Sequence, residues 1–135
     1  MAGRKKQVLF DHNCWIVMPT RKSREIFKND DTLQVFNSNK LQDYLTNVNA
    51  NLFSVESIDD GTAVLIALSI HPDKAISDII FNIKRISFNI LYRKLAIKEM
   101  LNGEKAIWTR DFVCATTKSK ALTLYDSFVE KGGGI

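Results

Sequence analysis

The sequence predicts an α+β domain of the ferredoxin-like type, with a β-α-β-β-α-β order and one further helix at the C-terminus. Three observations carry this prediction. Strand-like and helix-like segments alternate in that order, Asp60-Gly61 separates the second and third strands as hairpin turns do, and isoleucines from Ile76 to Ile90 recur at three- and four-residue spacing. In this split β-α-β arrangement the two longer helices cover one face of a four-stranded antiparallel sheet, and the first and last strands are neighbours.

The first half of the chain contributes two strands and one helix. Gln7–Met18 is rich in β-forming residues and predicts the first strand, which Pro19 and a basic loop follow. A helix is predicted from Asp30-Asp31, which can cap it, to about Val48. Leu52–Ile58 then alternates as a second strand does.

The second half contributes two strands and two helical regions. Thr62–Ile70 is almost wholly apolar, which is typical of a buried central strand. A long helical region is predicted from Pro72-Asp73 to Asn102-Gly103, where the chain can turn left-handed. Ala106–Thr117 predicts the fourth strand, and neighbouring first and fourth strands bring Cys14 near Cys114. Lys118–Lys131 predicts the final helix, which the following glycines end.

Length and composition indicate one globular domain over residues 1–135, with a flexible basic arm at residues 1–6 and a flexible glycine tail at residues 132–135. Hydrophobic residues make up 45% and charged residues 25%, so a packed core is expected. No apolar run reaches the roughly 20 residues of a membrane helix, and no signal-peptide core follows the basic N-terminus. The two cysteines form no CxxC motif. We therefore expect a cytoplasmic protein with no membrane partner.

Charge is unevenly distributed along the chain. Residues 1–28 carry seven positive and two negative side chains, net +5, and residues 29–62 carry one positive and six negative, net −5. Residues 63–135 carry eleven positive and seven negative, net +4. Basic segments of this kind either contact phosphate or form a solvated surface, and charge alone does not separate the two.

Several segments in order resemble the single-tyrosine transposases of the HUH superfamily, which include insertion-sequence and REP-associated enzymes. The resemblance covers residues 7–132. The segments are an apolar strand and basic loop (Cys14–Pro19, then Arg21-Lys22), a proline and helix start (Pro72, then Ser77-Asp78), a Lys-x-x-Ser stretch (Lys84–Ser87), a Trp before a Phe-Val strand (Trp108, then Phe112-Val113), and a helix end (Phe128-Val129-Glu130). Their order and spacing together carry the resemblance.

The resemblance implies a DNA transposase that cuts and rejoins single-stranded DNA with a divalent metal such as magnesium or manganese. In that family two strand histidines and a helix glutamine hold the metal, and a helix tyrosine is the nucleophile. Counting back from Ser77-Asp78, the histidine positions fall on Ala63 and Leu65. Phe128 stands at the tyrosine and Gly132 at the glutamine. All four positions are degenerate, so we expect no catalytic residue, no metal site and no cofactor.

Two other residues are weak substitutes for the lost groups. His71 follows the site strand, although it reads more simply as a surface histidine. Tyr125 lies three residues before Phe128 and shares roughly its helix face. A relocated nucleophile would still lack a metal site to activate the phosphate.

DNA binding requires only cations and backbone N–H groups, so it can survive the loss of chemistry. The candidate contacts form the N-terminal arm, the first loop, the long helical region and the start of the last helix: Arg4, Lys5, Lys6, Arg21, Lys22, Arg24, Lys84, Arg85, Arg93, Lys94, Lys118 and Lys120. Trp15 and Trp108 are candidates for stacking on bases, but a core or interface position is the simpler interpretation.

The sequence thus predicts a catalytically inactive, transposase-like protein that binds hairpins of single-stranded DNA. The resemblance also implies a homodimer with sheets joined across the two-fold axis, and a possible partner is an active transposase relative. Three alternatives stay open. They are an active nickase with a rearranged site, a protein-interaction module without a DNA role, and an RNA-binding domain, which the missing aromatic RNP-type strand disfavours.

Overall fold

A computed structural model describes residues 12–71 and 75–132, and within them the chain forms a four-stranded antiparallel sheet. The strands are β1 (His12–Pro19), β2 (Ala50–Ile58), β3 (Ala63–Ile70) and β4 (Val113–Ala115). Their spatial order is β2-β3-β1-β4. This is the predicted ferredoxin-like arrangement, and β1 and β4 are neighbours as expected. No described helix combines the length and apolar character that crossing a membrane requires.

The helices differ from the prediction in how they are divided. They are α1 (Asp30–Leu33), α2 (Asn39–Asn47), α3 (Ile76–Leu91), α4 (Leu95–Leu101) and α5 (Lys118–Glu130). The helix predicted from Asp30 to Val48 is interrupted by a 3₁₀ turn at Gln34–Asn37, and Ser38 caps a new start by accepting from the Leu41 N–H at 3.4 Å.

The long helical region is likewise two helices, because Lys94 leaves the helical conformation with ψ 130°. Leu91 and Ile97 are both buried, and their six-residue spacing does not fit one face of a continuous helix. The turn brings Ile97 and Leu101 into the core and leaves Leu95 exposed. Asn102 then ends α4 in the left-handed conformation, as predicted.

The fourth strand is much shorter than the predicted Ala106–Thr117. Only Val113–Ala115 pairs with β1, and Trp108 forms an isolated bridge with Thr20. Between them the chain loops away because the Lys84 ammonium binds the carbonyls of Thr109 and Asp111, at 2.9 and 3.0 Å.

The hairpin between β2 and β3 is present, with Ile58 opposite Ala63. Gly61 has φ +85°, and a Cβ there would lie 2.2 Å from the Lys28 backbone nitrogen, so only glycine fits. β3 is buried on both faces, as its apolar sequence predicted.

Two apolar clusters lie on the two faces of the sheet. The larger contains α2 and α3 residues such as Leu41, Leu45 and Ile83, which confirms that the helices of the two predicted crossovers share one face. The smaller lies under α5. Across β1 and β4, burial and the neighbouring Cys14 thiol raise the pKa of the Cys114 thiol to about 11, so the two cysteines do approach each other. The N-terminal part of strand one, the basic arm, Pro72-Asp73 and the last three residues lie outside the described residues.

Candidate functional site

The positions expected to carry catalytic groups meet on the α5 face of the sheet. Ala63 and Leu65 alternate along β3, so they point the same way, and both are buried, with 0% and 1% exposure. We call their surroundings the α5 cluster. Its buried members are Val17, Ala63, Leu65, Val113, Ala121 and Tyr125, with Phe128 packed against it.

This α5 cluster does not fit a divalent metal. The side chains at Ala63, Leu65 and Phe128 are hydrocarbon and offer no donor atom, and Gly132 offers no side chain. Over the described residues, no three His, Cys, Asp or Glu side chains are grouped to hold an ion. A packed apolar cluster therefore occupies the place of the expected site.

Tyr125 is the polar member of the α5 cluster. Its ring lies 6.4 Å from that of Phe128, and the side chains of Asp59 and Thr62 are the polar neighbours of its hydroxyl. Burial, reinforced by the Asp59 carboxylate, raises the pKa of Tyr125, which works against formation of the phenolate that a nucleophile needs.

His71 does not lie near this cluster. It follows Ile70 at the far end of β3, and Ile70 lies five positions beyond Leu65 along the strand, or about 16 Å. The two weak substitutes, His71 and Tyr125, are therefore not brought together.

The first basic loop converges on one carboxylate. Arg21 Nε lies 3.3 Å and Lys22 Nζ 3.2 Å from Glu104 Oε2, and Arg24 Nη2 donates to Glu104 Oε1. These hydrogen bonds, first from Arg24 and then from Lys22, lower the pKa of Glu104 to about 2. Lys22 and Ser23 hold positive φ values of 60° and 50°, which is strained for residues with a Cβ. Glu104 thus fixes three of the expected DNA contacts in one loop.

Lys84 has a structural role, because its ammonium group is bound within the protein. It is half-buried, and burial lowers its pKa to about 8 while Asp111 opposes that shift. Its two bonds to carbonyls hold the loop after Trp108 against α3. Arg85 is exposed, and its guanidinium donates to Asn82 Oδ1 at 3.1 Å.

The other predicted contacts are dispersed. Arg93 and Lys94 are exposed at the turn between α3 and α4, Lys118 pairs with Glu56 at 2.6 Å, and Lys120 is exposed in the first turn of α5. The arm residues Arg4, Lys5 and Lys6 lie outside the described residues. Trp108 is a core residue, stacked on Phe27 at 5.1 Å between ring centroids, whereas Trp15 is half-buried and meets Phe53 edge-on.

A groove missed in the sequence lies between α3 and residues 105–112, with a volume of about 580 Å³. Its lining combines the rings of Phe81, Phe88 and Phe112 with the side chains of five basic residues, Arg21, Lys84, Arg85, Lys105 and Arg110. The signal was present, since Phe81 and Phe88 flank Lys84-Arg85 on the helix. Nothing in the sequence indicated that the segment with Lys105 and Arg110 lies close to this helix. We call this groove between α3 and residues 105–112 the α3 groove.

The α3 groove and the α5 cluster lie at the same end of the sheet. The Thr20 N–H donates to the Thr62 carbonyl at 2.8 Å, so the loop of Arg21 sits beside the hairpin that leads into Ala63. The groove lies on the α3 side of the sheet, and the α5 cluster lies on the opposite side.

Comparison with known proteins gives a family and a fold. A family model described as "Transposase IS200 like" matches residues 8–132. A crystal structure of a candidate transposase from Deinococcus radiodurans R1 superimposes with a TM-score of 0.71 at 13% identity, covering 91% of this chain and 92% of that one. No curated protein matches the sequence significantly.

Proposed function

Because the chain belongs to the IS200-like transposase family, we propose that it is a catalytically inactive member that binds hairpins of single-stranded DNA. The observation that carries the proposal is the α5 cluster. Ala63, Leu65 and Phe128, which the resemblance places at the metal-ligand and nucleophile positions, lie together on one face and fill it with hydrocarbon.

Loss of chemistry follows from the atoms present. Metal-assisted phosphoryl transfer needs donors for the cation and a nucleophilic oxygen. Tyr125 has the oxygen, but its pKa is raised, and it faces Asp59 and Thr62. This arrangement disfavours the rival proposal of an active nickase that uses Tyr125 and His71.

The binding half of the proposal rests on charge and family. The net charge is +4, and basic residues from three segments line the α3 groove: Arg21 of the first loop, Lys84 and Arg85 of α3, and Lys105 and Arg110 of the 105–112 segment. Cations on a rigid surface bind phosphate without any catalytic group. Arg21, Arg85 and Arg110 are exposed and are the cations best placed for this contact.

The proposal includes a cytoplasmic homodimer. Leu124 and Val129 on α5 are 49% and 45% exposed, which gives this helix apolar surface for a second copy or for an active transposase relative. Light scattering after gel filtration would give the molar mass of the protein in solution. A monomer mass at micromolar concentration would contradict the homodimer.

The test is equilibrium binding to a fluorescent DNA hairpin with a single-stranded flank, and to a matched blunt duplex, at about 50 and 200 mM salt. We expect tighter binding to the hairpin, a steep salt dependence, and no requirement for magnesium or manganese. Arg85→Gln should weaken binding and flatten the salt dependence. Lys40→Gln on α2, in the acidic part of the chain, is the matched control and should leave binding unchanged.

The outcomes separate the rivals. Absence of binding to either DNA would favour the protein-interaction module. Cleavage that depends on metal would favour the active enzyme.

A further inference from the structure

We propose that the α3 groove holds unpaired nucleotides, with a base stacked on Phe81 and the adjoining phosphates against the basic rim. This rests on the proposed DNA-binding function and specifies where the unpaired part of the DNA lies and which side chains hold it.

One wall of the groove is a stripe along α3. Ser77, Phe81, Lys84 and Phe88 follow one another at four-, three- and four-residue spacing and so share one helix face. Phe112 stands on the facing wall, with its ring centroid 5.8 Å from Lys84 Nζ. Lys84 holds this wall in place through its two carbonyl contacts, so the two walls form one structure rather than a loose cleft.

Phe81 is the side chain best placed to stack. It is 66% exposed, although α3 is a well-packed helix whose Ile79, Ile80 and Ile83 are buried. An exposed aromatic ring beside cations is the arrangement by which proteins hold single strands without sequence preference, because every base has a flat face.

The charge of the groove fits a polyanion. Among the described residues its lining includes five basic side chains and no acidic one. Arg21 enters the groove while also pairing with Glu104, so a phosphate there would compete with an internal carboxylate. The groove volume of about 580 Å³ falls within the range of roughly 300–1,000 Å³ found for small-molecule sites. A helix or peptide with an apolar face would instead meet basic side chains that it could not neutralise.

The first arm of the test uses a short single strand of four nucleotides that forms no hairpin. In a Trp15→Phe protein the fluorescence comes from Trp108, which lines the groove. We expect the strand to change this fluorescence, and we expect Phe81→Ala to weaken its binding by roughly 5- to 150-fold. Phe81→Trp should bind at least as well as the parent, while Phe81→Leu, which keeps apolar bulk without a flat ring, should bind as weakly as alanine.

The matched control is Phe53→Ala. Phe53 is also an exposed phenylalanine, at 48%, but it lies on β2 beside residue 15 of β1 and does not line the groove. Because Phe81 is largely exposed, its loss should leave the circular dichroism and unfolding midpoint unchanged.

The second arm repeats the comparison with the hairpin and its flank. Short-strand binding that depends on Phe81 but not on Phe53 supports the groove assignment, whatever the hairpin does. Equal binding by both alanine variants, or no fluorescence change with the short strand, overturns the assignment. Hairpin binding by the parent protein decides the proposed function separately, so the two failures are distinguishable.

Discussion

Histidines at positions 63 and 65, where the resemblance implies them, should strongly destabilise the protein rather than give it activity. Leu65 is 1% exposed, and Leu65→His loses about 1.5–3 kcal/mol of apolar burial and places an imidazole without a partner in the α5 cluster, at about 1–3 kcal/mol. Ala63 is fully buried, and Ala63→His adds overpacking of about 1–3 kcal/mol to the same polar cost.

The two changes together cost about 4–12 kcal/mol, against a usual domain stability of about 5–15 kcal/mol. Both side chains lie on one face of β3 and so do not add strictly. We expect each single variant to lose at least about 2 kcal/mol in urea unfolding followed by circular dichroism. The double variant should lose most of the stability of the parent protein and unfold at a much lower urea concentration.

A matched control separates this effect from the mere addition of histidine. Ser119→His with Thr123→His places two imidazoles four residues apart on the exposed side of α5, where they should be tolerated and should bind zinc. Metal bound to the folded state raises stability, so zinc should stabilise the control. Two results would refute the reasoning that positions 63 and 65 are buried and closely packed. One is a free energy of unfolding of the double variant within about 1 kcal/mol of the parent's, and the other is stabilisation of that variant by zinc as in the control.

Three further outcomes are expected. Ser87→Ala removes the oxygen that accepts from the buried Trp108 indole N–H at 3.0 Å, and it should lower the free energy of unfolding in urea by about 1–3 kcal/mol. The same change should cost less in a protein that also carries Trp108→Phe. Free-energy losses of the two single variants that add strictly in the double variant would contradict this. The pKa of the Glu104 carboxyl is lowered from 4.5 to about 2, so its ionised form stabilises the fold above pH 4.5, and this stabilisation is lost as the pH falls towards 2. Between pH 4.5 and 2 the melting temperature of Glu104→Gln should therefore fall less than that of the parent protein. An equal fall would contradict this expectation. Gly61→Ala should cost clearly more than Gly103→Ala, because a Cβ meets backbone at the first and open space at the second; equal melting temperatures would contradict it.

The elements that the sequence predicted well are those whose pattern is local. The apolar run of β3 requires burial on both faces, and Asp60-Gly61 lies in the one turn where backbone crowding by Lys28 demands glycine. Thr117 caps α5 by accepting from the Lys120 N–H at 3.2 Å, so that helix begins where its sequence indicated.

The errors arose where distant residues decide the local structure. Lys84 draws the carbonyls of Thr109 and Asp111 out of the predicted fourth strand, a contact across 25 and 27 residues that no local pattern reveals. The break at Lys94 was in principle visible, because the spacing from Leu91 to Ile97 changes the phase of the buried face.

The candidate site shows the same division. Ala63, Leu65 and Phe128 were identified by resemblance, and their meeting in the α5 cluster depended on how α5 packs on the sheet. Basic residues were found one by one, but Glu104 as the common partner of the first loop was missed. The α3 groove was missed too, because residues 89–104 separate its two walls in the sequence, and folding alone brings Phe81 near Phe112.

The most direct test of the central claim is a denaturing gel of end-labelled hairpin DNA after incubation with saturating protein and manganese or magnesium. Binding is verified in the same tube by anisotropy. We predict that the DNA is bound yet runs entirely intact, with no slower protein–DNA band. A cleaved strand, or a covalent adduct that Tyr125→Phe abolishes, would contradict the claim that this fold binds DNA without cutting it.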